Sequence, residues 1–137
     1  MTSLRQRLAD DRGAVLLMGL LLVIALLLVI GLAVDLGRAF IVRRELASIA
    51  DDAALVGSQQ LDVDALRTGR IALQPDAAQA AANDVLDHEP RIRGGAHATE
   101  TIVTVTVRRR VSTILLGLAD LKQLTVTADA TATPRAP

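Results

Sequence analysis

From Ala14 to Val34 the sequence contains 21 consecutive residues without a charged, hydroxyl or amide side chain. A helix of that length rises about 30 Å, which is the thickness of the hydrocarbon core of a bilayer. Fifteen of the 21 residues are Leu, Ile or Val, and together they favour insertion by about 5–9 kcal/mol. A cleaved signal peptide has a shorter apolar region, of about 7–15 residues. The run therefore predicts a transmembrane helix, with the lipid bilayer as its partner.

Charged sequence follows this run without a helix-breaking residue. Between Gly37 and Gly57 there is neither Gly nor Pro, so we expect one helix from about residue 13 to about residue 60. Small and apolar residues recur there at steps of three and four, which predicts a packing seam on one helix face. The predicted seam consists of Ala39, Val42, Leu46, Ile49, Ala50 and Ala53. The pattern leaves open whether the seam packs on its own domain or on neighbouring copies.

Residues 62–137 are enough for one small domain. Residues 61–76 read as a linking region. A second helix follows, with Asp76 as the predicted N-cap and Pro90 as the stop, and residues 90–100 read as a loop. The segments "TIVTVTVRR" and "LTVTADATAT" alternate apolar and polar residues, which predicts two antiparallel strands.

Between these strands, "VSTILLGLADLK" has helical spacing. We expect a short helix there, capped by Ser112, that lies either on the sheet or on the bilayer. The sheet is favoured because its apolar face needs a cover. The predicted fold is α+β, with a long N-terminal helix, a second helix and a small antiparallel sheet with a short covering helix.

No residue pattern in the chain indicates catalysis. The chain lacks cysteine, and its formal net charge is zero, which gives no indication of nucleic-acid binding. His88 and His97 have no ligand spacing, and Asp51 and Asp52 point about 100° apart on a helix. Arg108–Arg110 are expected to be a solvated strand edge, with a lipid-headgroup contact as the alternative. We therefore predict no enzyme, no catalytic, metal or cofactor-binding residues, no cofactor and no small-molecule substrate.

Three short motifs follow one another along the N-terminal part of the chain. Arg12 and Gly13 precede the apolar run. A membrane-exit motif then comprises Asp35, Gly37 and Arg38, and a helix-end motif comprises Asp51, Asp52, Ala53, Ala54 and Leu55. In this order the motifs resemble the TadE/TadG-like family of the Tad/Flp tight-adherence pilus-assembly system. The tail, with a Val/Thr strand, an apolar segment containing Gly117 and a second strand, is similar to the shorter members of that family.

The resemblance implies a pilin-like, non-catalytic component of pilus assembly or secretion machinery, in the role of a minor pilin. It implies a single-pass protein of the cell (inner) membrane, with partners that are other pilus subunits bound through the N-terminal helix. The expected organisation is a cytoplasmic tail over residues 1–13, a span over 14–34, a helix extension over 35–61 and an extracytoplasmic domain over 62–137. It also resolves the orientation, because three arginines on each side of the span leave the charge rule tied.

One position departs from the processed prepilins of that system. Met18 stands where they carry a Glu, five residues after the cleavage glycine, so we expect the N-terminal segment to be retained. The alternative function is a membrane-anchored extracytoplasmic binding or sensory module unrelated to pili.

Overall fold

The computed structural model describes residues 3–114, 116–120 and 122–135, and within these the side chains of residues 3–12, 118 and 119 are not described. The chain begins with a single helix, α1, from Ser3 to Ser58, which is 56 residues long. It continues without interruption through Gly31 and Gly37, so the predicted continuous helix is confirmed. Residues 13–58 contain a window of mean hydropathy 3.3 with none of it buried, long and apolar enough to cross a membrane.

The remaining chain folds into a small α+β domain, and the predicted fold class is confirmed. The described strands form one antiparallel sheet in the order β1-β2-β3. The further elements are α2 (Val63–Arg67), α3 (Pro75–Asp87), β1 (Arg93–Ala98), β2 (Val103–Ser112), a 3₁₀ turn (Leu116–Ala119) and β3 (Gln123–Ala132).

The core lies between one face of the sheet and the two long helices. In β2, Val103, Val105 and Val107 are fully buried, and in β3 alternate residues from Val126 to Ala130 are buried, as the two-residue period predicted. Helix α1 packs on β2 and β3, while α3 packs on β1 and on α1. Helices therefore cover the apolar face of the sheet, and the C-terminal half of α1 is part of the domain core.

The predicted loop over residues 90–100 was wrong, because residues 93–98 form the edge strand β1. They pair with β2 in continuous register, from Arg93 opposite Arg108 to Ala98 opposite Val103. The two glycines of "RGGAHA" concealed this strand, since Gly is disfavoured in strands. A Cβ on Gly94 would clash with the carbonyl oxygen of Thr106, so glycine here permits the close approach of β1 to β2.

The helix predicted over residues 111–122 was wrong in its extent and in its cap. Val111 and Ser112 belong to β2, where they pair with Leu124 and Gln123, so Ser112 is a strand residue. Pairing across a long ladder outweighs the weak helical periodicity of this segment. The described helical part is the 3₁₀ turn, and Leu115 and Leu121 lie outside the described residues. The sheet is covered by α1 and α3, as described above.

The start of α3 differs from the prediction by two positions. Gln74 is the N-cap residue, Pro75 opens the helix, and Asp76 lies within its first turn. Proline suits the first helical position because it has no N–H that could be left unpaired. The predicted linking region contains the short helix α2, whose N-cap Asp62 accepts the N–H groups of Asp64 and Ala65 at 2.8 and 3.1 Å.

Candidate functional site

The structure places the predicted seam of α1 inside the protein's own domain. Leu46, Ala50 and Ala53 have no exposed surface, and Ala39, Val42 and Ile49 are partly buried against the same core. These six side chains face the sheet and the packed helices, so in this fold they are not available to a neighbouring subunit. Of the two arrangements that the sequence left open, the structure has the intramolecular one.

Gly57 extends the seam by one turn and was missed in the sequence. A Cβ at Gly57 would lie 2.9 Å from the carbonyl oxygen of Ala78, 3.1 Å from Cγ1 of Val103 and 3.2 Å from Cβ of Ala82. Distances below about 3.4 Å are tight for carbon, so this glycine lets α1 cross α3 at close range. The signal was present as the seam period, since Gly57 follows Ala53 by four residues.

The opposite face of α1 is polar and exposed, as the sequence predicted. The exposed residues on this face are Arg44, Glu45, Ser48, Asp51 and Asp52. Glu45 reaches across to the sheet, where its Oε2 lies 3.0 Å from Nη1 of Arg109. This ion pair is partly exposed, so its contribution to stability is at most about 1 kcal/mol.

The helix-end motif is divided between the core and the surface. Ala53 and Ala54 are buried, whereas Asp51, Asp52 and Leu55 are exposed. The two alanines therefore serve packing. The two carboxylates and Leu55 are positioned to face solvent or a partner.

The membrane-exit motif contains the most constrained polar group of the helix. Asp35 is only 6% exposed. Its Oδ1 accepts the backbone N–H of Ile114 at 2.9 Å, and its Oδ2 accepts that of Leu116 at 3.1 Å. Backbone N–H groups aimed at a carboxylate offset the cost of burying it. Gly37 and Arg38, the other residues of this motif, are exposed.

Asp35 therefore fastens the loop after β2 to α1, at the residue where the uncharged run ends. Sequence reasoning identified the position of Asp35 but not its partners. The hydrogen bonds join segments that are 79 and 81 residues apart in the chain, and local patterns carry no information about such contacts.

A group of arginines lies on the outer face of the sheet. Arg91, Arg93, Arg108 and Arg110, with Thr125, line a shallow depression of about 330 Å³. Arg93 and Arg108 stand opposite each other in the β1–β2 register. Arg108 and Arg110 are exposed, as expected for a solvated strand edge, while the half-buried Arg109 lies between them and pairs with Glu45.

The two histidines lie on different elements, and within the described residues no group of His, Asp and Glu has metal-binding geometry. His88 is the C-cap of α3, and its Nδ1 lies 2.6 Å from the carbonyl oxygen of Asp84. That backbone hydrogen bond and the nearby Asp84 charge raise the pKa of His88 above 6.5. His97 is exposed on β1.

These features define a class of protein: a small α+β domain built on the continuation of an exposed apolar helix that is able to span a membrane. Residues 13–60 match the model of the Tad family, Flp pilus-assembly TadE/G-like, and this confirms the resemblance over that segment. The match covers the apolar run, the membrane-exit motif and the helix-end motif. No curated protein and no solved structure matches the chain.

Proposed function

We propose that this protein is a non-catalytic, minor-pilin-like component of Tad/Flp-type pilus assembly or secretion machinery. Its N-terminal segment carries a Tad pilus-assembly domain and a helix that is able to span a membrane. The observation that carries the proposal is the single helix from Ser3 to Ser58. Its first half presents apolar side chains on all sides, and its second half is the central helix of the domain.

A shared helix has a mechanical consequence that suits an assembly subunit. No flexible linker separates the apolar half of α1 from the half that packs on the sheet, and Asp35 adds a second attachment at the junction. Movement of the anchor within the membrane is therefore transmitted to the domain. The apolar half has no partner within the chain among the described residues, so it can contact lipid and the helices of other subunits.

Contacts with other subunits are assigned to surfaces outside the seam, because the seam is occupied. Two regions of α1 remain: the exposed apolar half, and the polar face with Ser48, Asp51, Asp52 and the exposed Leu55. Both lie on the N-terminal helix, through which the family resemblance implies that subunits associate.

For topology, the proposal places residues 1–13 in the cytoplasm, residues 14–34 in the cell (inner) membrane and the domain outside the cytoplasm. A reporter that is active only in the cytoplasm should be silent when fused after Pro137 and active when fused before Met1. Activity at the C-terminus would contradict this topology. Mass spectrometry of the membrane form should detect peptides from Thr2 to Arg12, and a protein that begins at Ala14 would show that it is processed.

The function is tested by deleting the gene in its host and measuring surface pili after shearing. We expect the deletion to abolish or strongly reduce pili, and the wild-type chain to restore them. A photo-crosslinking residue at Leu28 or Leu55, both exposed, should yield adducts with other pilus subunits, whereas one at the buried Val105 should not. Normal piliation without the protein would contradict the proposal and favour a binding or sensory module.

A further inference from the structure

The domain has a definite end next to the membrane span. Strand β2 runs in the opposite direction to α1, because Val103 lies beside Gly57, Arg109 pairs with Glu45, and the loop after Ser112 reaches Asp35. Asp35 and Glu45 are ten residues apart on the helix, which corresponds to a rise of about 15 Å. The loop after β2 and the beginning of β3 therefore lie level with the end of the apolar run.

This end of the domain exposes large apolar side chains. Phe40 is 72% and Ile41 is 69% exposed on α1, while Ile114 is 59% exposed in the loop. Leu36 and Leu124 are also exposed and line a groove of about 360 Å³ between α1 and β3. We call this set the base surface: Leu36, Phe40, Ile41, Ile114 and Leu124. It extends the apolar surface of the span onto the domain.

The charges of the domain are separated along the same axis. Residues 34–45 and 108–125, which surround the base surface, include seven basic and three acidic side chains, a net charge of +4. Residues 46–107, which form most of the distal part, include four basic and nine acidic side chains, a net charge of −5. Of the three acidic groups near the base, Asp35 is bound to backbone N–H groups and Glu45 to Arg109. The outward charge at this end is positive.

We propose that the base surface docks on the bilayer that α1 enters, with Arg43, Arg108, Arg110 and Lys122 contacting anionic lipid headgroups. An apolar patch flanked by basic residues is the composition of surfaces that lie in a membrane interface. The bilayer is the occupant because the patch is continuous with the span and Asp35 holds the loop at that level. The inference rests on the proposed membrane anchor and adds that the domain lies down on the membrane.

The absence of cysteine from the chain allows a direct test by site-directed spin labelling of the full-length protein in nanodiscs. Single labels are introduced at Val23→Cys in the span, Ile114→Cys and Leu124→Cys in the base surface, and Glu100→Cys in the distal part. Collision rates are measured with oxygen, which partitions into lipid, and with a water-soluble nickel chelate. In nanodiscs containing phosphatidylglycerol, the oxygen-to-nickel ratio at the two base positions should be several-fold higher than at Glu100→Cys.

The charge contribution is tested with Arg108→Gln/Arg110→Gln in the Ile114→Cys background. We expect this variant to lose most of the excess oxygen-to-nickel ratio. Arg67→Gln/Arg70→Gln, which removes two exposed arginines from the distal part, should retain it. Wild-type docking should also weaken in nanodiscs made only of phosphatidylcholine, because the attraction to anionic headgroups is lost.

The outcomes separate the docking from the anchor. Water exposure at Val23→Cys would overturn the proposed membrane anchor itself. A lipid-exposed Val23→Cys with base labels as water-exposed as Glu100→Cys would overturn the docking and leave the anchor intact. Base labels shielded from both reagents would indicate a protein partner and would also overturn it. Insertion that is equal in both lipid compositions would overturn the role of anionic headgroups.

Discussion

The carboxylate of Asp35 accepts the backbone N–H of Ile114 at 2.9 Å and joins two residues that are 79 positions apart in the chain. A second bond, from Leu116 N–H at 3.1 Å, reaches the other carboxylate oxygen. An acidic residue at the end of a membrane run thus acts as an acceptor for a returning loop. Its charge is retained where it would otherwise oppose insertion, and the domain is fixed at the point where α1 leaves the apolar run.

Replacing Asp35 by Ala should release this loop while the rest of the domain stays folded. Hydrogen bonds to charged groups contribute about 1.5–3 kcal/mol each, so amide exchange at Ile114 and Leu116 should accelerate by about tenfold or more. Exchange measured by NMR at Leu73, whose N–H bonds the carbonyl of Glu100 at 2.8 Å, should change little. Asp120→Ala, at an exposed position, is the matched control. Unchanged protection at both loop amides would show that Asp35 does not hold the loop.

Ala50→Glu should unfold the domain, whereas Ser48→Glu should not. Ala50 has no exposed surface, and an unpaired charge there costs several kcal/mol, a large part of the roughly 5–15 kcal/mol that stabilises a small domain. Ser48 is exposed on the polar face, and its replacement should change the free energy of unfolding by less than about 0.5 kcal/mol. Limited proteolysis and urea unfolding measure the difference. A stable Ala50→Glu domain would mean that the seam is not packed.

Two Gly→Ala substitutions in α1 should have opposite effects. In an open helix the change stabilises by about 0.5–1 kcal/mol, and a Cβ on Gly37 would have no neighbour within 4 Å. At Gly57 the same methyl group would meet Ala78 and Val103 at 2.9 and 3.1 Å, and overpacking of this kind costs about 1–3 kcal/mol. Thermal unfolding should rank Gly37→Ala above wild type and Gly57→Ala below it. The reverse order would contradict the close crossing of α1 and α3.

Protonation of His88 should stabilise the end of α3. The hydrogen bond to the Asp84 carbonyl and the Asp84 charge raise the pKa of His88 above 6.5 in the folded state. This contribution is therefore complete below pH 6.5 and is lost as pH rises through the raised value. An NMR titration should give a pKa above 6.5 that falls, without returning fully, in Asp84→Asn. In His88→Gln this part of the pH dependence of stability should disappear. A wild-type pKa at or below 6.5 would contradict the observed geometry.

The sequence predicted the elements whose patterns are local. The apolar run, the three- and four-residue seam and the Val/Thr alternation led to α1, β2 and most of β3, because burial of one face imposes a fixed period on each element. The seam positions Leu46, Ala50 and Ala53 followed from the same period. Their partner did not, since a helical stripe of small residues suits an internal core as well as a neighbouring helix.

The elements missed were those created by tertiary contacts. Strand β1 has two glycines and little strand propensity, and its pairing depends on the close approach that Gly94 permits. Val111 and Ser112 extend β2 because Leu124 and Gln123 lie opposite them, not because of their own spacing. The bond from Ile114 to Asp35 also depends on the complete fold. The resemblance supplied what periodicity could not, namely a family and an expected topology.

The central claim is that one rigid helix serves as the membrane anchor and as the core of the domain. It is tested most directly by the distance between spin labels at Leu28→Cys and Ser48→Cys in nanodiscs, because both positions are exposed and flank Gly31, Asp35 and Gly37. Twenty residues of continuous helix correspond to about 30 Å between the two positions. The account predicts a narrow distribution near that distance. A broad distribution, or a clearly shorter one, would show that the helix breaks at the membrane exit and would contradict the claim.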